Sequence, residues 1–128
     1  MISTMELSSD LQAVEAMLMQ YFDGLHRADI ALLDKIFDPQ ARLYAPGVRR
    51  SKAQWLELVA HRPVPAQIGD PFAYRVLSIE LCGMQAIAKV ACPLLGQHFI
   101  DFLSLLKEEG RWRIMAKQYA DNPYMPRN

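Results

Sequence analysis

Four side chains carry most of the chemical potential of this sequence: Arg75, Cys92, Asp101 and Gln118. The segment HFIDFLSLLKEEGRWRIMAKQY, His98 to Tyr119, reads as two strands around a tight turn at Glu109-Gly110. It is apolar almost throughout, yet Asp101 lies inside its first strand and Lys117 inside its second. A carboxylate and a guanidinium on one apolar face can fix strand register as an ion pair. They can also form the polar floor of a small-molecule site, which is apolar with a few placed polar groups. An Asp in such a floor becomes a base only where desolvation raises its pKa. A neighbouring Arg75 opposes that and favours anion recognition or orientation.

Other reactive residues show no pattern of this kind. His26, His61 and His98 lack metal-ligand spacing and read as surface or rim histidines, so no metal is expected. Arg49, Arg50 and Lys52 form a short basic run that reads as a solvated loop, with a lid over an acidic ligand as the alternative. Cys82 and Cys92 read as reduced structural thiols. There is no Gly-rich phosphate loop, nucleophile elbow or CxxC, and no cofactor is expected.

The elements that must position these residues follow from periodicity. The chain has 128 residues, 52% hydrophobic and 22% charged, which suits one globular domain. Lys+Arg and Asp+Glu balance at 14 each, so nothing favours nucleic acid or an anionic membrane as partner. No apolar run approaches the ~20 residues of a membrane helix. Met1 to Glu6 has no basic or apolar signal region, so a cytoplasmic location is expected. The boundaries read as a tail over 1–8, one domain over 9–122 and a tail over 123–128.

Leu11, Val14, Leu18, Tyr21, Phe22 and Leu25 form a helical stripe, with Ser9 and Gln12 as its capping box. A second helix follows Asp29, carries Leu32, Leu33, Ile36 and Phe37 inward, and stops at Pro39. ARLYA, Ala41 to Ala45, is a short strand. Ser51 and Gln54 cap a third helix with Trp55, Leu58 and Val59 inward. Beyond the Pro63–Pro71 loop come four strand-like segments with turn signals at Gly83-Met84, Gly96-Gln97 and Glu109-Gly110. Helices followed by an antiparallel meander make an α+β layout.

Two-residue turns then predict a register. Cys82 faces Gln85, Leu95 faces His98 and Glu108 faces Arg111. Counting along each hairpin pairs Ile79 with Ala88, Leu77 with Val90, Val90 with Leu103, Leu103 with Ala116, and Leu105 with Ile114. This face should meet the helices. One row on, Arg75, Cys92, Asp101 and Gln118 align on it, while Lys117 points outward beside Phe102. The outer face would then carry Val76, Ile87, Ile100, Phe102, Leu106, Met115 and Tyr119, with Ser78, Glu80, Lys89 and Lys117. That much apolar surface predicts a homodimer through the sheet.

YFDGLHRADIALLDKIFDPQARLY, Tyr21 to Tyr44, and GRWRI, Gly110 to Ile114, resemble the nuclear transport factor 2-like superfamily. RVLSIEL and FIDFLSLLK are most similar to its bacterial group labelled putative lumazine-binding. The resemblance runs from about Leu11 to Tyr119. It implies a cone, with three helices closing one face of a curved, mostly antiparallel sheet and a pocket at the wide end. The candidate lining is Tyr21, Phe37, Tyr44, Trp55, Arg75, Asp101 and Gln118, with Phe37 and Trp55 also suited to the core. Catalytic relatives use a pocket Asp or a His–Asp couple. On strand parity Ala116 stands where several of them have His, which counts against that chemistry. Two functions remain open: a protein binding, or an enzyme acting on, a small cyclic or acidic metabolite, and a non-catalytic dimeric assembly module with a vestigial pocket.

Overall fold

The computed structural model describes residues 3–122, so the predicted tail over 123–128 lies outside the described residues. Three helices, α1 (Thr4–Arg27), α2 (Ile30–Ile36) and α3 (Lys52–His61), accompany six strands. These are β1 (Phe37–Ala45), β2 (Val48–Ser51), β3 (Arg75–Cys82), β4 (Gln85–Leu94), β5 (Gln97–Glu108) and β6 (Arg111–Asp121).

The first helix begins before the predicted cap. Ser3, not Ser9, accepts the Glu6 N–H at 3.1 Å, so the predicted N-terminal tail is helical from Thr4. A Ser-x-x-Gln spacing occurs inside helices as well as at their ends, and Met5, Glu6 and Leu7 are good helix formers. Leu11 falls outside the buried stripe at 38% exposure; Asp10, Met17 and Gly24 join it instead. The helix stops where Ala28 adopts φ 51° and its N–H caps the Gly24 and Leu25 carbonyls. Asp29 then caps α2, as the sequence predicts, and Ser51 and Gln54 form the capping box of α3.

The sheet order is β2-β1-β6-β5-β4-β3. All neighbours are antiparallel except β1 and β6. The strand predicted as ARLYA extends back to Phe37, which is therefore not helical. Arg49 and Arg50, predicted in a loop, lie on β2. A β-branched-poor, Arg-rich segment gives no strand signal of its own; pairing with β1 makes it one. On the inner face Ala86, Ala88, Val90, Leu103, Leu105 and Ile114 are buried against Val14, Leu18, Phe22, Leu33 and Trp55 from the helices. Each larger side chain so buried contributes about 1.5–3 kcal/mol.

Three irregularities decide which side chains face that interior. The β3–β4 hairpin pairs Cys82 with Gln85 and Ile79 with Ala88, as predicted, but a bulge between Val76 and Ser78 shifts the far end. Arg75 then pairs with Ala91 and is exposed on the outer side. The β4–β5 turn is Leu95-Gly96, both at positive φ, rather than Gly96-Gln97. This slips the pairing by two residues: Ala88 faces Leu103 and Val90 faces Asp101. An even slip preserves the face, so Asp101 stays inward. The β5–β6 turn falls at Glu109-Gly110 as predicted, and Leu105 pairs with Ile114. A bulge at Met115 then moves Ser104 to Ala116, Leu103 to Lys117 and Asp101 to Tyr119. One extra residue reverses the faces beyond it. Lys117 and Tyr119 turn inward, while Ala116 and Gln118 turn outward.

Candidate functional site

The reversal at Met115 brings two opposite charges into the interior. Asp101 on β5 is 1% exposed and Lys117 on β6 is 5% exposed. Their charged atoms lie 3.8 Å apart, close enough to attract but beyond hydrogen-bond reach. Asp101 Oδ2 accepts the Tyr21 hydroxyl at 2.6 Å and the Cys92 thiol at 3.3 Å. The Lys117 ammonium sits over Trp55 at 4.4 Å, Tyr119 at 4.7 Å and Tyr21 at 5.3 Å from the ring centroids. Three aromatic faces offset part of its lost hydration.

Desolvation dominates the electrostatics here. Burial lowers the Lys117 pKa, opposed by the Asp101 charge. Burial, then the charge on Asp101, pushes the Tyr21 hydroxyl well above the usual range, so it stays a donor. The same two causes raise the Cys92 thiol, which is therefore no nucleophile. Arg62, the C-cap of α3, is half-buried, and burial lowers its pKa. Of the three buried side-chain polar atoms without a hydrogen-bond partner among the described residues, Arg113 Nε lies elsewhere on β6 and two are here, Asp101 Oδ1 and Arg62 Nε.

Both residues line one cavity of about 230 Å³, beside Lys117, Tyr119 and Cys92. Its apolar walls come from Trp55 and Leu58 on α3, from Leu94 and Leu95 at the β4–β5 turn, and from Phe99. Arg50 on β2 donates to the Tyr119 hydroxyl at 2.9 Å and so fixes that ring. The arrangement is a small, mostly apolar chamber with two cations, one carboxylate and unsatisfied hydrogen-bonding capacity. It can orient a polar ligand.

Of the seven residues expected to line a pocket, the structure brings three together: Tyr21, Trp55 and Asp101. Tyr21 and Asp101 are joined directly, and Trp55 closes over Lys117. Three others, Arg75, Gln118 and Tyr44, are corrections. Arg75 is displaced by the β3 bulge, and the cations beside Asp101 are Lys117 and Arg62. Gln118 is turned outward by the Met115 bulge, and Tyr44 pairs with it across the parallel β1–β6 ladder. Both line a larger, open groove of about 540 Å³ on the outer face, with Arg49, Ile100 and Phe102. No buried charge converges there, so the smaller inner chamber is the candidate site. Phe37 is core, packed on Trp55.

Lys117, Arg62 and Tyr119 were not anticipated as site residues. For Arg62 a signal existed: Trp55, Val59 and Arg62 follow i, i+4, i+7 spacing on the inward stripe of α3. For Lys117 and Tyr119 the parity count pointed the wrong way. It also assigned Ala116 to the inner position opposite Leu103, which Lys117 in fact occupies.

The sequence matches the family described as "Putative lumazine-binding" over residues 9–120. No curated protein matches the chain. A similar solved structure is an NTF-2 like protein of unknown function from Silicibacter pomeroyi, 25% identical, with TM-score 0.78, covering 91% of this chain and 98% of that one. Another, from Shewanella baltica, is 23% identical with TM-score 0.81 and covers 91% and 96%. A ketosteroid isomerase-like protein from Erwinia carotovora atroseptica is 16% identical with TM-score 0.67 and covers 91% and 98%, a likeness of fold alone. The three helices, the curved six-stranded sheet and the family match agree: the chain belongs to the putative lumazine-binding family of the nuclear transport factor 2-like superfamily.

Proposed function

We propose that the inner chamber binds a small cyclic or acidic metabolite, held between Arg62, Lys117 and Asp101. One observation carries this reading: Asp101 Oδ1 and Arg62 Nε are buried without partners, and both residues line the same cavity. Leaving such groups unsatisfied costs about 1–3 kcal/mol each, more when charged, and a ligand that satisfies them recovers that cost. The family description, which names a small heterocycle as ligand, supports a ligand-binding role. Two cations against one carboxylate give the chamber a positive balance, which suits an acidic guest.

The binding unit in this reading is a homodimer joined through the outer sheet face. Ile87, Phe102 and Leu106 are 53%, 45% and 36% exposed there, which supports it.

The test is thermal denaturation with a panel of heterocyclic and acidic metabolites, alongside native mass spectrometry of the purified protein. A ligand at 100 times its Kd stabilises by about 2.7 kcal/mol, several degrees in a domain of this size. The shift should vanish in Lys117→Met. If no compound shifts the melt and no small molecule co-purifies, the chamber is not a binding site.

A further inference from the structure

The two unpartnered atoms on the chamber's residues differ in kind. Asp101 Oδ1 is a buried, unpartnered acceptor on a residue that lines the chamber and is 1% exposed. Arg62 Nε is a cationic donor on the half-buried residue that ends α3. The other carboxylate oxygen of Asp101 is already held by Tyr21 and Cys92. Lys117 stands beside that oxygen at 3.8 Å and adds positive charge to the chamber without donating to it. Aromatic rings of Trp55, Phe99 and Tyr119 complete the walls, with Phe99 and Tyr119 meeting edge to face at 5.9 Å.

We infer that the ligand is a one-ring planar acid that also carries a hydrogen-bond donor, its carboxylate on Arg62 and its O–H or N–H on Asp101 Oδ1. This rests on the chamber being the binding site. Size argues for one ring: about 230 Å³ is below the ~300–1,000 Å³ of pockets for drug-sized ligands. Charge argues for the acid, because Arg62 and Lys117 outnumber Asp101. The vacant acceptor argues for the donor, because a simple acid would bury Oδ1 unsatisfied and set a second anion near the first. A neutral phenol or amine would leave Arg62 unmatched. Only a molecule with both groups satisfies both ends.

Titration calorimetry with five probes tests this: 3-hydroxybenzoate, 4-hydroxybenzoate, benzoate and the two corresponding hydroxybenzamides. At least one hydroxybenzoate should bind roughly tenfold or more tighter than benzoate and than its own amide, the usual worth of a charge-assisted hydrogen bond. Two variants should then separate the ends. In Asp101→Asn the Tyr21 and Cys92 donors hold the amide oxygen, which places an NH2 where Oδ1 was. Preference for the hydroxyl should collapse while preference for acid over amide persists. In Arg62→Met the reverse should hold. Circular dichroism checks the fold of each variant. The ranking of the five probes by the unaltered protein stands as a test even if Asp101→Asn fails to fold. Probes that bind equally whatever their charge and hydroxyl overturn the inference and leave the chamber a binding site. Absence of binding by all five, together with no hit in the wider metabolite panel, overturns both.

Discussion

Tyr21 and Asp101 lie 80 residues apart in the chain and 2.6 Å apart in space, the α1 hydroxyl donating to a carboxylate oxygen on β5. The bond ties the helical layer to the sheet at the floor of the chamber. It also occupies one of the two acceptor oxygens of Asp101 and leaves the other, Oδ1, as the acceptor the proposed ligand would meet.

Tyr21→Phe should therefore cost more than a typical hydrogen bond. The ring still packs on Phe22 and Phe37, with centroids 6.0 Å away in each case, so packing is kept. What is lost is a donor to a buried charge, about 1.5–3 kcal/mol. Urea denaturation with an unchanged m-value and a lowered midpoint is expected. A loss below ~0.5 kcal/mol would mean that the bond contributes nothing net to the folded state.

Lys117 should leave a signature in the pH dependence. Its folded pKa is lowered by burial, whereas in the unfolded chain it titrates near ~10.4. The unfolded state then binds more protons between those two values, so this group's contribution rises with pH across that window and is lost as pH falls through the folded value. Cys92, whose pKa is raised, acts in the opposite sense above about 8.5. The difference between the protein and Lys117→Met isolates the lysine, since Cys92 is common to both. The stability difference, protein minus variant, should grow more favourable to the protein as pH rises from neutral toward ~10. A difference that is flat with pH would contradict a desolvated Lys117.

Much of this architecture was legible because local signals agreed. Asp29, Ser51 and Gln54 announced two helices by cap chemistry, and Glu109-Gly110 announced the last hairpin. Asp101 was legible as inward because the error at the Leu95-Gly96 turn was an even slip. Lys117 and Arg75 were not legible. Each lies beyond a bulge, and a bulge adds one residue without any composition that marks it. Met115 and Leu77 are ordinary strand residues. What sets them apart is the bend of the sheet around the helices, a tertiary property.

Gly24 illustrates the same point inside a helix. On propensity alone, Gly24→Ala should stabilise α1 by about 1 kcal/mol. A Cβ there, however, would lie 2.7 Å from Leu33 Cδ2, and Leu33 is fully buried on α2. Overpacking of this kind typically costs about 1–3 kcal/mol, so the expected net effect is destabilising. Pairing it with Leu33→Val should recover part of the loss, a coupling that a double-mutant cycle reads directly. Additive effects of the two changes would place the helices further apart than described.

The proposed dimer is testable on the outer face. Ile87 on β4 faces Ser104, and Phe102 and Leu106 flank that position on β5, so the three make one continuous patch. Lys89 lies over the Phe102 ring at 5.8 Å, whereas Val76, which parity had assigned to this face, pairs with the buried Val90 beyond the β3 bulge and is not part of the patch. Tyr119, which parity had assigned to this face, has left it for the chamber, and the patch does not depend on it. A two-fold contact of ordinary size would bury about 600–1,000 Å² on each copy, against a monomer surface of 7752 Å². Phe102→Glu would place a carboxylate near its own symmetry mate and desolvate both. Sedimentation equilibrium at micromolar concentration should show a dimer for the protein and a monomer for Phe102→Glu, with matching circular dichroism. A monomeric protein under those conditions would leave the patch without a second copy to cover it and would remove the dimer from the proposed function. The ligand reading would stand on its own binding tests whatever that result, because Asp101, Lys117 and Arg62 line the chamber and are not part of this patch.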